Sequence, residues 1–221
     1  MNQIVDYYEK LAEKYDSDRF ENTYGKFIDF QERRILDRLL ADKKEIILDL
    51  ACGSGRFMNY ASIGIDASQE MLKIANEKYP EKSFYQSDAE LIPLLDSSID
   101  SIITFHFFMH LDKEKVQKIL AECQRVLKPN GRIIFDIPSA KRRSFIRYKK
   151  TGWHGNFALT NKQINELSTE FSISRSFGIL FIPIHRIPVR LRNLFLGFDR
   201  ILSNSFLKEY SSYQIIELIK K

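Results

Sequence analysis

A rhythm that begins at Glu45 constrains this chain more than any other feature. Ile46-Ile47-Leu48-Asp49-Leu50 is a short, nearly continuous apolar run ending in small residues and glycines, the pattern of a strand buried on both faces. Further short runs follow at Ile63–Asp66, Ser83–Gln86, Ile99–Phe105 and Arg132–Ile137. Helical stretches are read between them: a brief one at Arg56–Ser62, one at Gln69–Lys78 stopped by Pro80, and one at Lys113–Leu127 before the Lys128-Pro129-Asn130-Gly131 turn. Strand and helix thus alternate five times. Parallel neighbours need crossover connections, and right-handed crossovers cover the sheet. The spacing therefore predicts an α/β core, a doubly wound, mostly parallel sheet with helices on both faces. Ligands of such sheets sit beyond the carboxyl ends of the strands. That directs attention to Asp49–Gly55, Asp66, Asp88 and Phe105–His110.

The flanks read differently. Val5, Tyr8, Leu11, Ala12 and Tyr15 keep the spacing of one helix face, and Phe27, Phe30, Ile35, Leu36, Leu39 and Leu40 continue it after a break near Asp16–Gly25, so residues 1–44 form a two-helix N-terminal cap. Beyond the core of 45–138 the pattern loosens over 139–221. Lys141-Arg142-Arg143 and Lys149-Lys150 stand on a loop leading to Trp153. A helix is expected at Asn161–Glu170, a strand-like run at Ile173–Ile184 up to Pro183, and a final strand at Tyr213–Ile219. Together these make a single domain over 1–221 with seven strand-like runs. Between the last two strands, Leu191, Leu194, Phe195, Phe198, Ile201 and Leu202 recur at helical spacing, so 186–208 holds an amphipathic helical insertion. Three readings stay open for it. It is an apolar lid over a ligand pocket, with Arg186, Arg190 and Arg192 at its rim, or a peripheral contact with anionic membrane lipid, or an ordinary domain helix.

Charge separates the same regions. The net +5 of the 221 residues divides into 19 basic against 24 acidic residues over 1–138, a balance of −5, and 15 against 5 over 139–221, a balance of +10. The basic third is either a solvated face or the side that meets an acidic or phosphorylated partner. No DNA partner is expected, and RNA is disfavoured because no separate RNA-binding module is evident. Cys52 and Cys123 are the only cysteines; they make neither a disulfide scaffold nor a four-ligand zinc site, and no metal is expected. With no basic region followed by an apolar run at Met1–Asp6 and no apolar run of about 18 residues, the expected place is the cytoplasm, without a signal peptide or transmembrane span.

Gly53 and Gly55 follow the first strand directly and allow a tight turn to which a ligand can approach the main chain; a plain strand-to-helix turn would use the same glycines. Asp66 ends the second run 17 residues after Asp49, where a carboxylate can accept from ribose hydroxyls. A dinucleotide pyrophosphate favours a third small residue where this chain has Met58, which disfavours a nicotinamide cofactor and leaves a nucleoside ligand without a pyrophosphate. Asp88 at the third strand end is placed to accept from an adenine amino group.

Four segments in this order, Ile47–Phe57, Gly64–Leu72, Ser87–Pro93 and Leu120–Gly131, resemble the class I S-adenosylmethionine-dependent methyltransferases, closest to the small-molecule branch called type 11. The likeness covers about residues 45–138 and extends loosely to Tyr7-Tyr8 and Tyr15-Asp16. It implies a Rossmann-like sheet, S-adenosylmethionine as cofactor and S-adenosylhomocysteine as product. It also implies that Asp49, Ala51, Gly53 and Gly55 surround the methionine portion and that Asp66 binds the ribose. Ala67 and Met71 would pack on the adenine, Asp88 and Ala89 would fix its amino edge, and Phe105 would lie near the sulfonium. Ala51 stands where the family mostly has glycine, and its β-carbon is expected to crowd the methionine portion.

Methyl transfer needs alignment and exclusion of water, with a base only where the acceptor must lose a proton. His106, beside His110 after the fourth strand, and Tyr15, which in relatives lies over the cofactor, are the candidate catalytic residues. The alternative for His106 is a histidine packed among Phe105, Phe107, Phe108 and Met109, and for Tyr15 a core aromatic. The expected activity is methyl transfer to a small, partly apolar acceptor, with or without an anionic group, or to a membrane-associated lipid or quinone-type acceptor. A non-catalytic S-adenosylmethionine binder is the alternative of a different class.

Overall fold

The computed structural model describes residues 2–41, 45–149, 155–167 and 169–221. Five strands, β1 (Ile47–Leu50), β2 (Ile63–Asp66), β3 (Ser83–Gln86), β4 (Ile99–Thr104) and β5 (Leu127–Pro138), run parallel. With β6 (Phe171–Ile179) and β7 (Tyr213–Lys220) they form one seven-stranded sheet in the order β3-β2-β1-β4-β5-β7-β6. β7 is antiparallel to both of its neighbours, with Phe135 opposite Ile216 and Phe177 opposite Ile215.

The sheet has helices on both faces, but they arrive by an unexpected route. Of the four connections among the parallel strands, only two are α-helical: α3 (Gln69–Lys78) and α4 (Lys113–Val126). The helix read at Arg56–Ser62 is a run of turns instead, held by Met58 N–H donating to Gly55 O at 3.2 Å and Tyr60 N–H to Phe57 O at 2.9 Å. Residues 51–62 are too few to leave a strand, build several helical turns and return. The link from β3 to β4 is also a non-helical loop.

Residues adjacent in a strand point to opposite faces, and the buried side chains divide accordingly. Leu48, Ile102, Ile133 and Ile216 pack with Val116, Ile119, Leu120 and Cys123 of α4 and with Ile164 and Leu167 of α6 (Asn161–Leu167). Ile47, Ile103, Ile134 and Ile215 pack with Ile35, Leu36 and Leu39 of α2 (Thr23–Leu39) and with Phe57 and Met58 of the turn segment. α2 therefore supplies the layer that the short first crossover does not, rather than standing over the sheet as a cap. α1 (Asn2–Phe20) is the helix that reaches the strand ends; α1 and α2 break at Glu21–Asn22, where Asn22 caps α2 by accepting from Tyr24 and Gly25 N–H.

In the final third, Lys141–Arg143 lie in a short helix, α5 (Ala140–Phe145), not in a loop; the stretch from Lys150 to Trp153 is outside the described residues. β6 ends at Ile179, before Leu180 with its φ of +56°. α7 (Val189–Ser203) forms where the insertion was expected, between β6 and β7. Its inward side combines Leu196, packed against the cluster of Phe27, Ile28, Leu180 and Ile184, with buried polar groups. Asp199 is fully buried and accepts from Gln31 Nε2 at 2.5 Å and from Ile182 N–H at 2.7 Å, and Ser203 is buried beside it. Leu191, Leu194, Phe195, Phe198 and Ile201 face outward and are exposed.

Candidate active site

The carboxyl ends of β1, β2 and β4 and the loop after β3 open into one cavity of about 870 Å³ including its open mouth. α1 closes one side with Ile4, Val5, Tyr8 and Tyr15. Polar contacts fix α1 there. Glu9 accepts from Gln69 N–H at 2.7 Å, and Asp16 accepts from Ser54 Oγ at 2.6 Å and pairs with Lys78.

The loop after β1 bends through three left-handed residues, Ala51 (φ +58°), Gly53 (+52°) and Gly55 (+81°). The two glycines do different work. A β-carbon on Gly53 would stand in open space, whereas one on Gly55 would lie 3.1 Å from the Ala75 β-carbon in α3. Gly53 thus keeps room beside the main chain at the cavity, and Gly55 lets α3 pack closely. Ala51 holds a conformation that costs an L-residue about 1–2 kcal/mol, so the advantage of glycine at this position lies in the backbone as well as in ligand clearance.

Asp66 anchors this loop from β2. Its Oδ2 accepts from Gly53 N–H at 2.8 Å and its Oδ1 from Ser68 N–H at 2.9 Å. Burial raises its pKa against the pull of these donors. Asp88 Oδ1 accepts from Glu90 N–H at 3.1 Å, fixing the carboxylate at the start of the loop after β3. Of the residues assigned to the cofactor, Ala51, Gly53, Asp66, Ala67, Met71, Asp88, Ala89 and Phe105 line the cavity; Asp49 and Gly55 do not. Asp49 lies beneath the loop, fully buried, with Oδ2 lacking a hydrogen-bond partner. Burial pushes its pKa up to about 8, with Arg56 pulling the other way and Asp66 adding to the rise.

Both candidate catalytic residues reach the cavity. Tyr15 stacks edge-on with Tyr8 and Phe20, at ring separations of 5.7 and 5.8 Å, and burial raises its phenol pKa. His106 lines the cavity in a charged setting rather than packed among Phe107, Phe108 and Met109. It has φ +56° and is held between carboxylates: Nε2 lies 2.9 Å from Glu32 Oε1, Nδ1 lies 3.6 Å from Asp136 Oδ2, and its N–H donates to Asp136 Oδ1 at 2.6 Å. Arg56 joins the cluster, pairing with Glu32 Oε2 at 2.7 Å and Asp29 Oδ1 at 3.0 Å while its guanidinium lies over Phe20 and Phe57. Burial would raise the Glu32 pKa, but Arg56 and His106 together hold it down at about 2. Donor atoms of Glu32, His106 and Asp136 lie within 4.8 Å of one another, a spacing a cation would also accept, although Arg56 already neutralises Glu32. His110 joins Tyr8: Gly155 N–H donates to Nδ1 at 3.3 Å, which leaves Nε2–H to donate to Tyr8 Oη at 3.2 Å in the neutral ring.

Sequence reasoning missed Glu32, Arg56 and Asp136. Two carried a signal. Glu32 sits with Gln31 on the inward face of α2 between Ile28 and Ile35, and Asp136 interrupts the apolar run Ile133-Ile134-Phe135 before Ile137. A charged residue at such positions is buried only when paired.

The open space at Gly53, the Asp66 carboxylate beside it and the apolar wall of Ile65 and Met71 fit an adenosyl ligand without a pyrophosphate. A methyltransferase-domain family model matches residues 48–135, the stretch that builds these strand ends. Over this stretch the chain is similar to the class I S-adenosylmethionine-dependent methyltransferases. It is 36% identical over 137 residues to an uncharacterized protein of Methanocaldococcus jannaschii, covering 61% of this chain and 51% of that one. It is 32% identical over 136 residues to a demethylmenaquinone methyltransferase of Thermotoga maritima, covering 58% of each. The chain thus spans little more than half the length of these curated relatives. A crystal structure from Thermotoga maritima, described as an S-adenosylmethionine-dependent methyltransferase and possible histamine N-methyltransferase, superposes with a TM-score of 0.74 over 98% of this chain and 99% of that one at 20% identity. Among the described residues no helix is long and apolar enough to cross a membrane.

Proposed function

We propose that the protein transfers the methyl group of S-adenosylmethionine to a small, largely apolar acceptor that enters on the side lined by Tyr15, Phe105 and His106. The observation that carries this reading is the Asp66–Gly53 cradle beside an otherwise apolar cavity. When bound, the cofactor supplies a methyl carbon activated by a positive sulfur. The chain's own residues bind and align. Asp66 has lone pairs left for ribose hydroxyls, Met71 and Ala67 offer an apolar surface for the base, and Asp88 stands at its amino edge. α1 keeps water from the reacting centre with Tyr8 and Tyr15. His106 works as a fixed element: with a carboxylate near each ring nitrogen and its backbone N–H on Asp136, it orients the wall of the acceptor side.

Arg186, Arg190 and Arg192 line no part of the cavity. The argument for an anionic acceptor gathered beneath a lid therefore loses its support, and a neutral ring is favoured. The demethylmenaquinone methyltransferase relative supports a quinone-type acceptor. Calorimetric titration with S-adenosylmethionine and with S-adenosylhomocysteine tests the core of the reading. Both are expected to bind, with affinity falling at least about tenfold in Asp66→Ala, the scale of losing one or two hydrogen bonds to a charged group. Silence with both ligands at high protein concentration would sink it, and binding without turnover on any reduced quinone or other apolar acceptor would leave a binder in place of an enzyme.

A further inference from the structure

Helix α7 packs Leu196 inward against the cluster of Phe27, Ile28, Leu180 and Ile184 but turns most of its large apolar side chains outward. Its inward side is held by the Asp199 hydrogen bonds to Gln31 and Ile182, while Val189, Leu191, Leu194, Phe198 and Ile201, with Phe206 just beyond, are between 46% and 91% exposed. An apolar stripe along a helix of 15 residues, about 22 Å long, is costly in water unless something covers it. The charges around it are of one sign. Arg186, Arg190 and Arg200 are exposed, and the single carboxylate within 181–208 is the buried Asp199. A second basic and apolar patch adjoins it. Phe145 and Ile146 are exposed among Lys141, Arg147 and Lys149, and this segment reaches the turn after α7 through the Phe145–Tyr210 ring contact at 6.2 Å and the Lys141–Glu209 ion pair at 2.7 Å.

We propose that the outward face of α7, with the adjoining 140–149 segment, seats the protein on an anionic membrane surface. Charge complementarity selects this occupant. Apolar side chains rimmed by cations match acyl chains beneath negatively charged headgroups, whereas a second copy would bring two cationic rims together in a two-fold contact. The inference stands apart from the identity of the acceptor and from methyl transfer itself, since α7 contributes nothing to the cavity.

Co-sedimentation of the full chain with phosphatidylcholine vesicles, with and without phosphatidylglycerol, tests it. Binding is expected only to the phosphatidylglycerol vesicles and is expected to weaken as salt rises. Arg190→Gln and Arg200→Gln should each lower affinity about fivefold, and the pair Leu194→Ser with Phe198→Ser at least about tenfold. Thermal melting and heats of cofactor titration should be unchanged in every variant, which separates loss of docking from loss of fold or of the methyltransferase site. Absence of binding to phosphatidylglycerol vesicles overturns the proposal. So does binding indifferent to Leu194→Ser with Phe198→Ser, or a solution dimer that the same substitutions dissociate.

Discussion

α2 and α7 are amphipathic helices of 17 and 15 residues, and they present opposite faces to the same protein. α2 turns Ile35, Leu36 and Leu39 to the sheet; α7 turns Leu191, Leu194, Phe195 and Phe198 to the outside and buries Asp199 and Ser203. They meet through Leu196, packed against the cluster that holds Phe27 and Ile28, and through polar groups: Gln31 of α2 donates to Asp199 and accepts from Leu180 N–H at 3.1 Å. Helical periodicity shows that a helix has two faces. Which face turns inward depends on what the neighbouring elements offer, and here α2 offers α7 a buried amide.

The sharpest way to break the comparison is at the buried acid of α2. Glu32→Ala strands the Arg56 guanidinium without its closest partner, and the expected loss is about 3–5 kcal/mol of unfolding free energy in urea titrations. Its pH signature has a definite sign. The Glu32 pKa is lowered on folding to about 2 from the usual 4.5, so its contribution is complete above about pH 5 and disappears as pH falls through 4.5 toward 2. The wild type should therefore lose stability over that window and the variant should lose less; parallel curves would remove Glu32 from the cluster. Next in size is Asp199→Ala, which leaves Ile182 N–H and the Gln31 amide unsatisfied at about 1–3 kcal/mol, read as a lower denaturation midpoint with an unchanged slope. The smallest effect is expected on the outward stripe. Leu194→Ser should shift stability by no more than about 0.5 kcal/mol, and a loss of 2 kcal/mol or more would mean that this face packs against the body of the protein.

Much of the core was legible because it is local. Each strand end that lines the cavity announces itself within a few residues: small residues after Leu50, Asp66 after an apolar run, Asp88 before Ala89. The charged cluster behind His106 was not, because Glu32, Arg56, His106 and Asp136 converge from α2, a turn, the segment just after β4 and the C-terminal part of β5, and nothing in sequence spacing pairs them. The separate duties of the two glycines were hidden for a similar reason, since Gly55 answers to Ala75 on a helix two elements away. Substitution of α2 for a crossover helix was implicit in the shortness of 51–62, yet periodicity alone could not say which helix would fill the gap.

The place of β7 bears on how the chain acquires its structure. β6 joins the sheet only through β7, and the fully buried Glu217 of β7 ties Arg132 to Arg175 across the strands on either side. β6 is formed some 30 residues earlier in the chain, but until β7 arrives it has no edge to pair with, and β5 keeps an open one. Folding of the last third must therefore wait for residues 213–220 and close over a long sequence separation, a slow class of event that leaves an unpaired strand edge exposed to other chains in the meantime. Shortening this sequence from its C-terminal side by a single strand would cost the sheet two.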